Sequence, residues 1–236
     1  MGSKAKISKQ ILPIILAGRK EEQWYVEPFA GGMNSICEVA GPRLANDIDY
    51  YLIEMWKALV YGWIPEKITR EKYYHIKDNV LEYHPAQVGW TGFNCSYSGK
   101  WFGGFAGDVK TKIGTTRDYQ DEAIRNVCAQ VKKMKGVTFR QGEYHELEIP
   151  PNSIIYCDPP YQGTTGYNNS IDYQKFWNWA REKSAEHILF VSEYSAPDDF
   201  QCVWQKEVKS SLSANGKSGG NKNSVEKLFK LKCPNY

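Results

Sequence analysis

The stretch Ser153–Tyr161, which reads SIIYCDPPY, restricts the fold of this chain more than any other. Residues 153–157 form a short apolar run preceded by Pro-Pro-Asn, the pattern of a strand buried inside a parallel sheet. The run ends at Asp158-Pro159-Pro160-Tyr161. Each proline biases the residue before it toward extended conformations, so the backbone leaves the strand without coiling into a helix. The stretch therefore predicts a buried parallel strand that ends in an extended loop.

The loop Asp158–Tyr161 is rich in hydrogen-bond acceptors, because its prolines carry no N–H. It suits a planar group that bears an NH2, such as a nucleobase. The amine of a nucleobase is a poor nucleophile, because the lone pair of its nitrogen is conjugated with the ring. If Asp158 and the Pro159 carbonyl each accept one N–H, the nitrogen can pyramidalise, and Tyr161 can stack on the ring. Methylation makes the nitrogen acidic, so no strong base is needed beforehand. The alternative is a plain strand end with a solvated aspartate.

A second motif near the N-terminus predicts a nucleotide-binding unit. Residues 24–26 read as a short strand, followed by the turn Glu27-Pro28-Phe29-Ala30-Gly31-Gly32 and a helix over Asn34–Val39. Glycines let a backbone approach a ligand closely, as in the opening unit of nucleotide-binding α/β sheets. The turn lacks the GxGxxG spacing, so a pyrophosphate is not favoured.

An acidic segment follows the next predicted strand. Leu44–Asn46 reads as a strand that ends at Asp47-Ile48-Asp49, about 20 positions past the first strand, where such folds hold ribose hydroxyls. The alternative for an acid after a strand is the N-cap of the next helix, here predicted over Tyr50–Tyr61.

The α/β pattern is interrupted between residues 63 and 120. In this segment aromatic residues alternate with glycines and with basic residues, and such mixtures can stack on bases and contact phosphates. We expect most of the aromatics to form the segment's own core, and the tight hairpin tip to lie at Gly99–Gly104. The residues predicted to contact DNA are Lys100, Trp101, Lys110, Lys112 and Arg117.

The remaining elements follow from periodicity. Helices are predicted over residues 4–17, with a kink at Pro13, over 121–135 and around 176–180. Strands are predicted over 137–139 and 188–191, and a final antiparallel hairpin over 203–208 and 225–231. The polar loop Ser210–Asn223 is expected to be mobile or to contact phosphates.

Composition excludes several classes of protein. The 236 residues are 42% hydrophobic and 24% charged, as in one ordinary globular protein. The net charge of +3 permits nucleic-acid binding without arguing for it, and the six cysteines are scattered with no CxxC pair. We therefore expect no disulfide framework, no zinc site and no other metal site. No run approaches the roughly 18–20 apolar residues of a membrane span, and the N-terminus lacks a signal-peptide core. We predict a cytoplasmic protein that does not contact a membrane.

These motifs, in this order, resemble the D12 class of DNA adenine-N6 methyltransferases, which includes bacterial and phage DNA adenine methylases. Asp158–Tyr161 matches the DPPY signature, and Glu27–Gly32 resembles the cofactor loop. Gly142-Glu143-Tyr144 resembles the segment that lines the cofactor adenine, and Ser192-Glu193-Tyr194 a later strand end beside the pocket. Gly2-Ser3-Lys4 resembles the N-terminal motif that closes over the methionine end. The family usually has an aromatic residue just before that motif, whereas this sequence begins at Met1, which implies weaker cofactor binding or a natural chain that starts earlier.

The resemblance implies S-adenosylmethionine as methyl donor and an adenine that leaves the DNA duplex before reaction. It implies that Asp47 holds the cofactor ribose, that Glu27 faces the cofactor's amino-acid end, and that Asp158 lies between the two substrates. The implied cofactor-binding residues are Gly2, Ser3, Lys4, Glu27, Pro28, Phe29, Gly31, Gly32, Asp47, Ile48, Glu143, Tyr144 and Asp158, and the implied catalytic residues are Asp158, Pro159, Pro160 and Tyr161.

The predicted fold is α/β: a Rossmann-like, seven-stranded methyltransferase sheet with helices on both faces. Residues 1–62 and 121–236 are predicted to form the catalytic domain, and residues 63–120 an inserted target-recognition subdomain. The expected partner is double-stranded DNA in a bacterial cell, with the gene carried by the bacterium, a phage or a mobile element, and the expected state is a monomer or weak dimer. The alternatives are the same chemistry on RNA adenine, cytosine N4 or a protein amide, and a non-catalytic DNA-binding relative.

Overall fold

The computed structural model describes residues 5–111, 114–162, 171–209 and 223–232. Within those ranges, helices α1 to α6 span Ala5–Ile15, Tyr50–Val60, Arg70–Asp78, Pro85–Gly89, Tyr119–Val131 and Tyr173–Ser184. Strands β1 to β9 span Tyr25–Glu27, Arg43–Asp47, Asp108–Lys110, Thr116–Asp118, Val137–Gln141, Ile154–Cys157, Ile188–Glu193, Phe200–Lys209 and Asn223–Leu231.

Seven of these strands form one sheet, in the order β5-β2-β1-β6-β7-β9-β8. The first five run parallel, and β9 is antiparallel to both β7 and β8. The strand Ile154–Cys157 therefore lies between β1 and β7 in the middle of the sheet, which is why all of its residues are buried. The predicted α/β sheet of seven strands is confirmed, and so is the final antiparallel hairpin.

Residues along the central strands alternate between two hydrophobic cores, as side chains of a pleated strand must. On one face, Tyr25, Ile154 and Tyr156 pack with residues of α1, α2 and α5. On the other face, Val26 and Ile155 pack with α6. Both faces of the sheet are thus covered by helices, as predicted.

The predicted helix over Asn34–Val39 is wrong, since the chain forms only a single 3-10 turn over Ile36–Glu38. Met33 has a left-handed φ of 54°, and Gly41 has a φ of 77° just before β2. The turn ends at Val39, whose backbone is extended with φ of −100° and ψ of 133°. The helical spacing of Met33, Ile36 and Val39 instead reflects three side chains that are buried from consecutive bends.

The segment 63–120 contributes no described strand to the seven-stranded sheet. It contains α3, α4, a π-helical turn over Trp90–Asn94, and the two-stranded hairpin β3–β4. The expected hairpin tip at Gly99–Gly104 lies in a loop closed by an antiparallel bridge between Ser96 and Phe105, and the bridge is isolated instead of part of a two-stranded ladder. The reason is packing, because the backbone N–H of Phe102 bonds to the Gly92 carbonyl and draws the loop back onto the π-helical turn.

The aromatic residues of the segment pack together as expected, but they do not form a separate core, because Tyr73 and Trp90 belong to the same hydrophobic cluster as Tyr25 and Ile154 of the sheet. Tyr73 and Trp90 are fully buried, and Phe102 and Phe105 pack edge-on against Tyr73. Of the helices in the described ranges, none combines the length and the apolar character that crossing a membrane requires.

Candidate active site

Four acidic residues lie at, or directly after, the carboxyl ends of neighbouring strands. Glu27 ends β1, Asp47 ends β2, Asp158 follows β6 and Glu193 ends β7. Because these strands are parallel and adjacent, their carboxyl ends share one edge of the sheet. The strand order reverses between β1 and β6, and such a switch point opens a crevice outside the carboxyl ends. The structure therefore brings together Glu27, Asp47 and Asp158, as the sequence predicts for a ligand site.

Glu27 is buried, with 3% of its surface exposed. The Tyr25 hydroxyl donates to its Oε1 over 2.8 Å. Burial raises the pKa of Glu27 to about 8, the charge of Asp158 adds to the rise, and the Tyr25 hydroxyl opposes it. The carboxyl group therefore holds its proton near neutral pH, and a cation placed beside it would bring its pKa down.

Asp47 joins the loops that follow β1 and β2. Its Oδ2 accepts the Gly31 N–H over 2.9 Å and its Oδ1 accepts the Asp49 N–H over 3.0 Å. Burial raises its pKa to about 6 against these backbone hydrogen bonds. A carboxylate has about four acceptor positions, and the backbone N–H groups of Gly31, Asp49 and Ile48 use up to three, so at least one remains for a ligand. The N-cap of α2, which was the alternative role, is filled by Asp49 through the Leu52 N–H at 2.9 Å.

Asn46 was missed by the sequence analysis. It is buried, and its Nδ2 donates to the carbonyls of Pro28 at 3.1 Å and Gly142 at 2.9 Å. It thereby ties the loops that follow β1 and β5 to strand β2. The available signal was an amide residue at the end of a buried strand, where an apolar side chain is normal. The side chain of Trp56 adds a second tie, because its Nε1 donates to the Gly31 carbonyl.

An aromatic wall lies beside these loops. Phe29 packs on Tyr144 with ring centroids 5.1 Å apart, and Tyr144 packs edge-on against Phe176 and Trp179. Gly31 has a φ of 47°, and a Cβ built there would meet no atom within 4 Å, so the turn faces open space. These features suit a nucleoside: the aromatic wall can stack on its base, the open glycine turn leaves space for it, and the carboxylates can accept hydrogen bonds from its ribose hydroxyls. Glu143 is half-buried and Ile48 exposed at the margin of this region.

The loop after β6 is held from several sides. Asp158 and Tyr161 are half-buried and Pro159 is buried. The Tyr173 hydroxyl donates to the Pro160 carbonyl. The Tyr161 ring meets Tyr194 edge-on with centroids 4.6 Å apart, and its hydroxyl donates to Glu226 Oε2 over 2.8 Å. The loop thus presents Asp158 and Tyr161 from a fixed backbone.

The predicted DNA-contact residues lie on the segment 63–120. Lys100 and Lys110 are exposed. Trp101 is half-buried and stacks on Tyr51 of α2 at 5.5 Å, so much of its ring holds the segment on the helix. Arg117 forms a two-pronged ion pair with Glu122 at 2.7 Å and lies over the Tyr119 ring.

Some predicted residues lie outside the described part of the chain, namely Gly2, Ser3, Lys4 and Lys112. The same holds for the loop Ser210–Asn223, of which only Asn223 is described. Among the residues that are described, no three His, Cys, Asp or Glu side chains converge as a metal ion would need.

Two solved structures align with most of this chain at low TM-scores. One is SMU.472, a candidate methyltransferase in complex with SAH, with a TM-score of 0.36 and 12% identity over 97% of this chain and 53% of that chain. The other is HI0767 from Haemophilus influenzae, a candidate methylase, with a TM-score of 0.37 and 8% identity over 95% of this chain and 88% of that chain. At these scores neither structure is a guide to individual residues.

Curated relatives include the type II methyltransferase M.FokI of Planomicrobium okeanokoites, which is 25% identical in an alignment 217 residues long that covers 80% of this chain and 32% of that protein. The modification methylase StsI of Streptococcus sanguinis is 26% identical in an alignment 207 residues long that covers 75% of this chain and 30% of that protein. The chain thus spans about a third of the length of these relatives.

A family model matches residues 1–203, a range that contains the glycine turn, the Asp47 strand end and the Asp158–Tyr161 loop. These are the elements that meet at the switch point of the sheet. On that match and that geometry, the chain belongs to the D12 class N6 adenine-specific DNA methyltransferases.

Proposed function

We propose that this protein transfers a methyl group from S-adenosylmethionine to the N6 amine of an adenine flipped out of duplex DNA. The observation that carries this proposal is the loop Asp158–Tyr161, which extends from a buried parallel strand beside the crevice at the switch point. A base inside the duplex cannot reach a pocket of this kind, and flipping it out costs a few kcal/mol that stacking and hydrogen bonds can offset.

The crevice residues fit the cofactor. Phe29 and Tyr144 would contact the adenine ring, with Glu143 and Ile48 at its margin, and the acceptor capacity that remains on Asp47 would hold the ribose. The open turn at Gly31 and Gly32 lets the backbone approach the ligand, and Pro28 fixes the start of that turn. Glu27 would face the cationic amino-acid end, and Gly2, Ser3 and Lys4 would close over it.

Asp158 and the Pro159 carbonyl would each accept one N–H of the adenine amine. The two hydrogens are then held on the protein side, and the nitrogen lone pair points into the crevice. When bound, S-adenosylmethionine would supply an electrophilic methyl group and a sulfur that keeps the electron pair of the broken S–C bond. Asp158, which accepts one N–H of the amine, would take the proton that the methylated nitrogen releases. Tyr161 would stack on the base, and Pro160 keeps the loop extended.

The segment 63–120 is proposed to recognise the target, with residues 1–62 and 121–236 as the catalytic domain. Its exposed Lys100 and Lys110 are free of α/β core packing and suit phosphate contacts, as would Lys112. Arg117 would exchange Glu122 for a phosphate, and Trp101 would present the exposed edge of its ring. We propose that the protein acts on DNA in the cytoplasm as a monomer or weak dimer.

Asp47→Ala is expected to weaken S-adenosylmethionine binding by about 1.5–3 kcal/mol, the range for a hydrogen bond to a charged group. Isothermal titration calorimetry measures this change. The matched control is Asp49→Ala, which removes the N-cap of α2 and should lower the free energy of unfolding by about 0.5–2 kcal/mol with little effect on binding. Unchanged cofactor affinity in Asp47→Ala would remove Asp47 from the cofactor site.

Lys100→Ala is expected to lower the affinity for DNA equally for cognate and random duplexes, because phosphate contacts position a protein without reading the base sequence. The slope of log affinity against log salt should flatten by about one unit if Lys100 meets one phosphate. Fluorescence anisotropy over a salt series measures both effects, and cofactor affinity should not change. Lys20→Ala, an exposed lysine ahead of β1, is the control. If the two variants have the same salt slope, the loop at Lys100 is structural.

Sequencing that reads adenine methylation, on DNA from cells expressing this chain, tests the proposed function. Methylated adenines in one sequence context are expected. Assays with labelled methyl donor separate the alternative substrates. The purified enzyme is incubated in turn with RNA, with a cytosine-containing duplex that has no adenine, and with a protein substrate. Cofactor binding without transfer to any of them would identify a non-catalytic relative.

A further inference from the structure

Tyr161 is held by a residue from the C-terminal hairpin, 65 positions further along the chain. Its hydroxyl donates to Oε2 of Glu226 over 2.8 Å. Glu226 lies on β9, beyond residues 1–203 that the family model matches. We propose that Glu226 is a positioning residue, which fixes the direction of the Tyr161 side chain so that the ring, whose plane is limited by Tyr194, stacks on the target adenine. This inference rests on the proposed function.

Two contacts at different points of the ring set its orientation. The hydrogen bond to Glu226 anchors the hydroxyl end, and Tyr194 meets the ring at an interplanar angle of 85° with centroids 4.6 Å apart. A tyrosine side chain has two main torsions, so an anchored end and a blocked edge leave little rotation. Stacking depends on ring orientation, and a ring held in advance does not have to be ordered when the base arrives.

The phenol is suited to donate this bond. Burial raises the pKa of the Tyr161 hydroxyl far above its ordinary value, and the negative charges of Asp158 and Glu226 add to the rise. The hydroxyl therefore keeps its proton throughout the pH range in which the protein works. The bond then needs an acceptor on the other side, and the Glu226 side chain supplies it.

Strand direction explains why a residue so distant in sequence reaches the site. β9 runs antiparallel to β7, with Lys227 opposite Glu193. The beginning of β9 therefore lies at the edge of the sheet where the parallel strands end. On its other side β9 pairs with β8, with Glu226 opposite Lys206. The backbone of Glu226 is thus fixed by its pairing with β8, next to the Lys227–Glu193 pair that joins β9 to β7.

The test measures single-turnover methylation with saturating cofactor and a duplex that carries the site found by methylation sequencing. Glu226→Leu removes the acceptor and Tyr161→Phe removes the donor, so each is expected to lower the rate constant about tenfold. Glu226→Gln keeps an acceptor oxygen and should stay within about threefold of the wild type. The double variant should be no slower than the slower single variant, because both remove the same bond. Affinity for S-adenosylmethionine should not change in any of them.

Glu207→Leu is the matched control, an exposed glutamate on the adjacent strand β8, and its rate should equal that of the wild type. Multiplicative losses in the double variant, or equal losses in Glu226→Leu and Glu226→Gln, would overturn the positioning role. If Glu226→Leu does not fold, Tyr161→Phe compared with Tyr161→Phe/Glu226→Gln decides: equal rates support the role and a further loss contradicts it. A wild type that methylates no adenine overturns the proposed function, and the positioning role falls with it.

Discussion

Replacing Asp158 with alanine is expected to reduce methyl transfer by about 10²–10³-fold or more, the range for loss of one preorganised polar group that acts in the transition state. Asp158 is the carboxylate of the loop that follows β6, and the prolines next to it have no N–H to offer. Without it, one N–H of the adenine amine loses its acceptor, and the lone pair stays conjugated with the ring. Single-turnover kinetics with labelled methyl donor measure the loss.

The conservative variant sharpens this test. Asp158→Asn should also be severely impaired, because an amide offers one acceptor oxygen and a competing donor. Both variants should fold, since Asp158 is half-buried in a loop, and circular dichroism and thermal melting check this. The control is Asp198→Ala, an exposed aspartate in the loop after β7. Turnover near the wild-type rate in Asp158→Ala would remove the catalytic assignment of the whole loop.

Replacing Glu27 with glutamine is expected to stabilise the fold, increasingly as the pH rises. Glu27 has a folded-state pKa of about 8 against an ordinary value of 4.5. Between these values the folded protein keeps a proton that the unfolded chain has released, so the wild type loses stability as the pH rises through this window. Glutamine has no proton to lose, and its side-chain oxygen can still accept the Tyr25 hydroxyl. The gain should reach a few kcal/mol and level off above about pH 8.

Urea unfolding at pH 5, 6.5 and 8.5 measures this difference, with the exposed Glu148→Gln as control. The same substitution should weaken S-adenosylmethionine binding, because the neutral amide cannot pair with the cationic end of the cofactor. In the wild type, that pairing should drive proton release on binding at pH 7, which calorimetry detects as a dependence on buffer ionisation enthalpy. Parallel stability curves for wild type and Glu27→Gln would show that Glu27 is ionised in the folded protein.

Features that depend on neighbours along the chain were predicted correctly from the sequence. The apolar run Ile154–Cys157 identified the central strand because only a residue-by-residue apolar stretch suits a strand buried on both faces. The prolines after Asp158 act on the backbone locally, so the extended loop was also predictable. The helix expected at 34–39 failed because the spacing of buried side chains does not distinguish a helix from successive turns, whereas the extended backbone of Val39 does.

The sequence by itself thus determined the α/β fold class and the chemical character of the Asp158–Tyr161 loop. The tertiary structure decided which carboxylate does what: Asp49 caps a helix while Asp47 bridges two loops, and Glu27 is protonated by burial between β2 and β6. It also decided that Glu226 holds Tyr161. The physical reason is that burial and long-range hydrogen bonds depend on which strands are neighbours in the sheet. The apolar pattern of a strand does not indicate which other strands lie beside it.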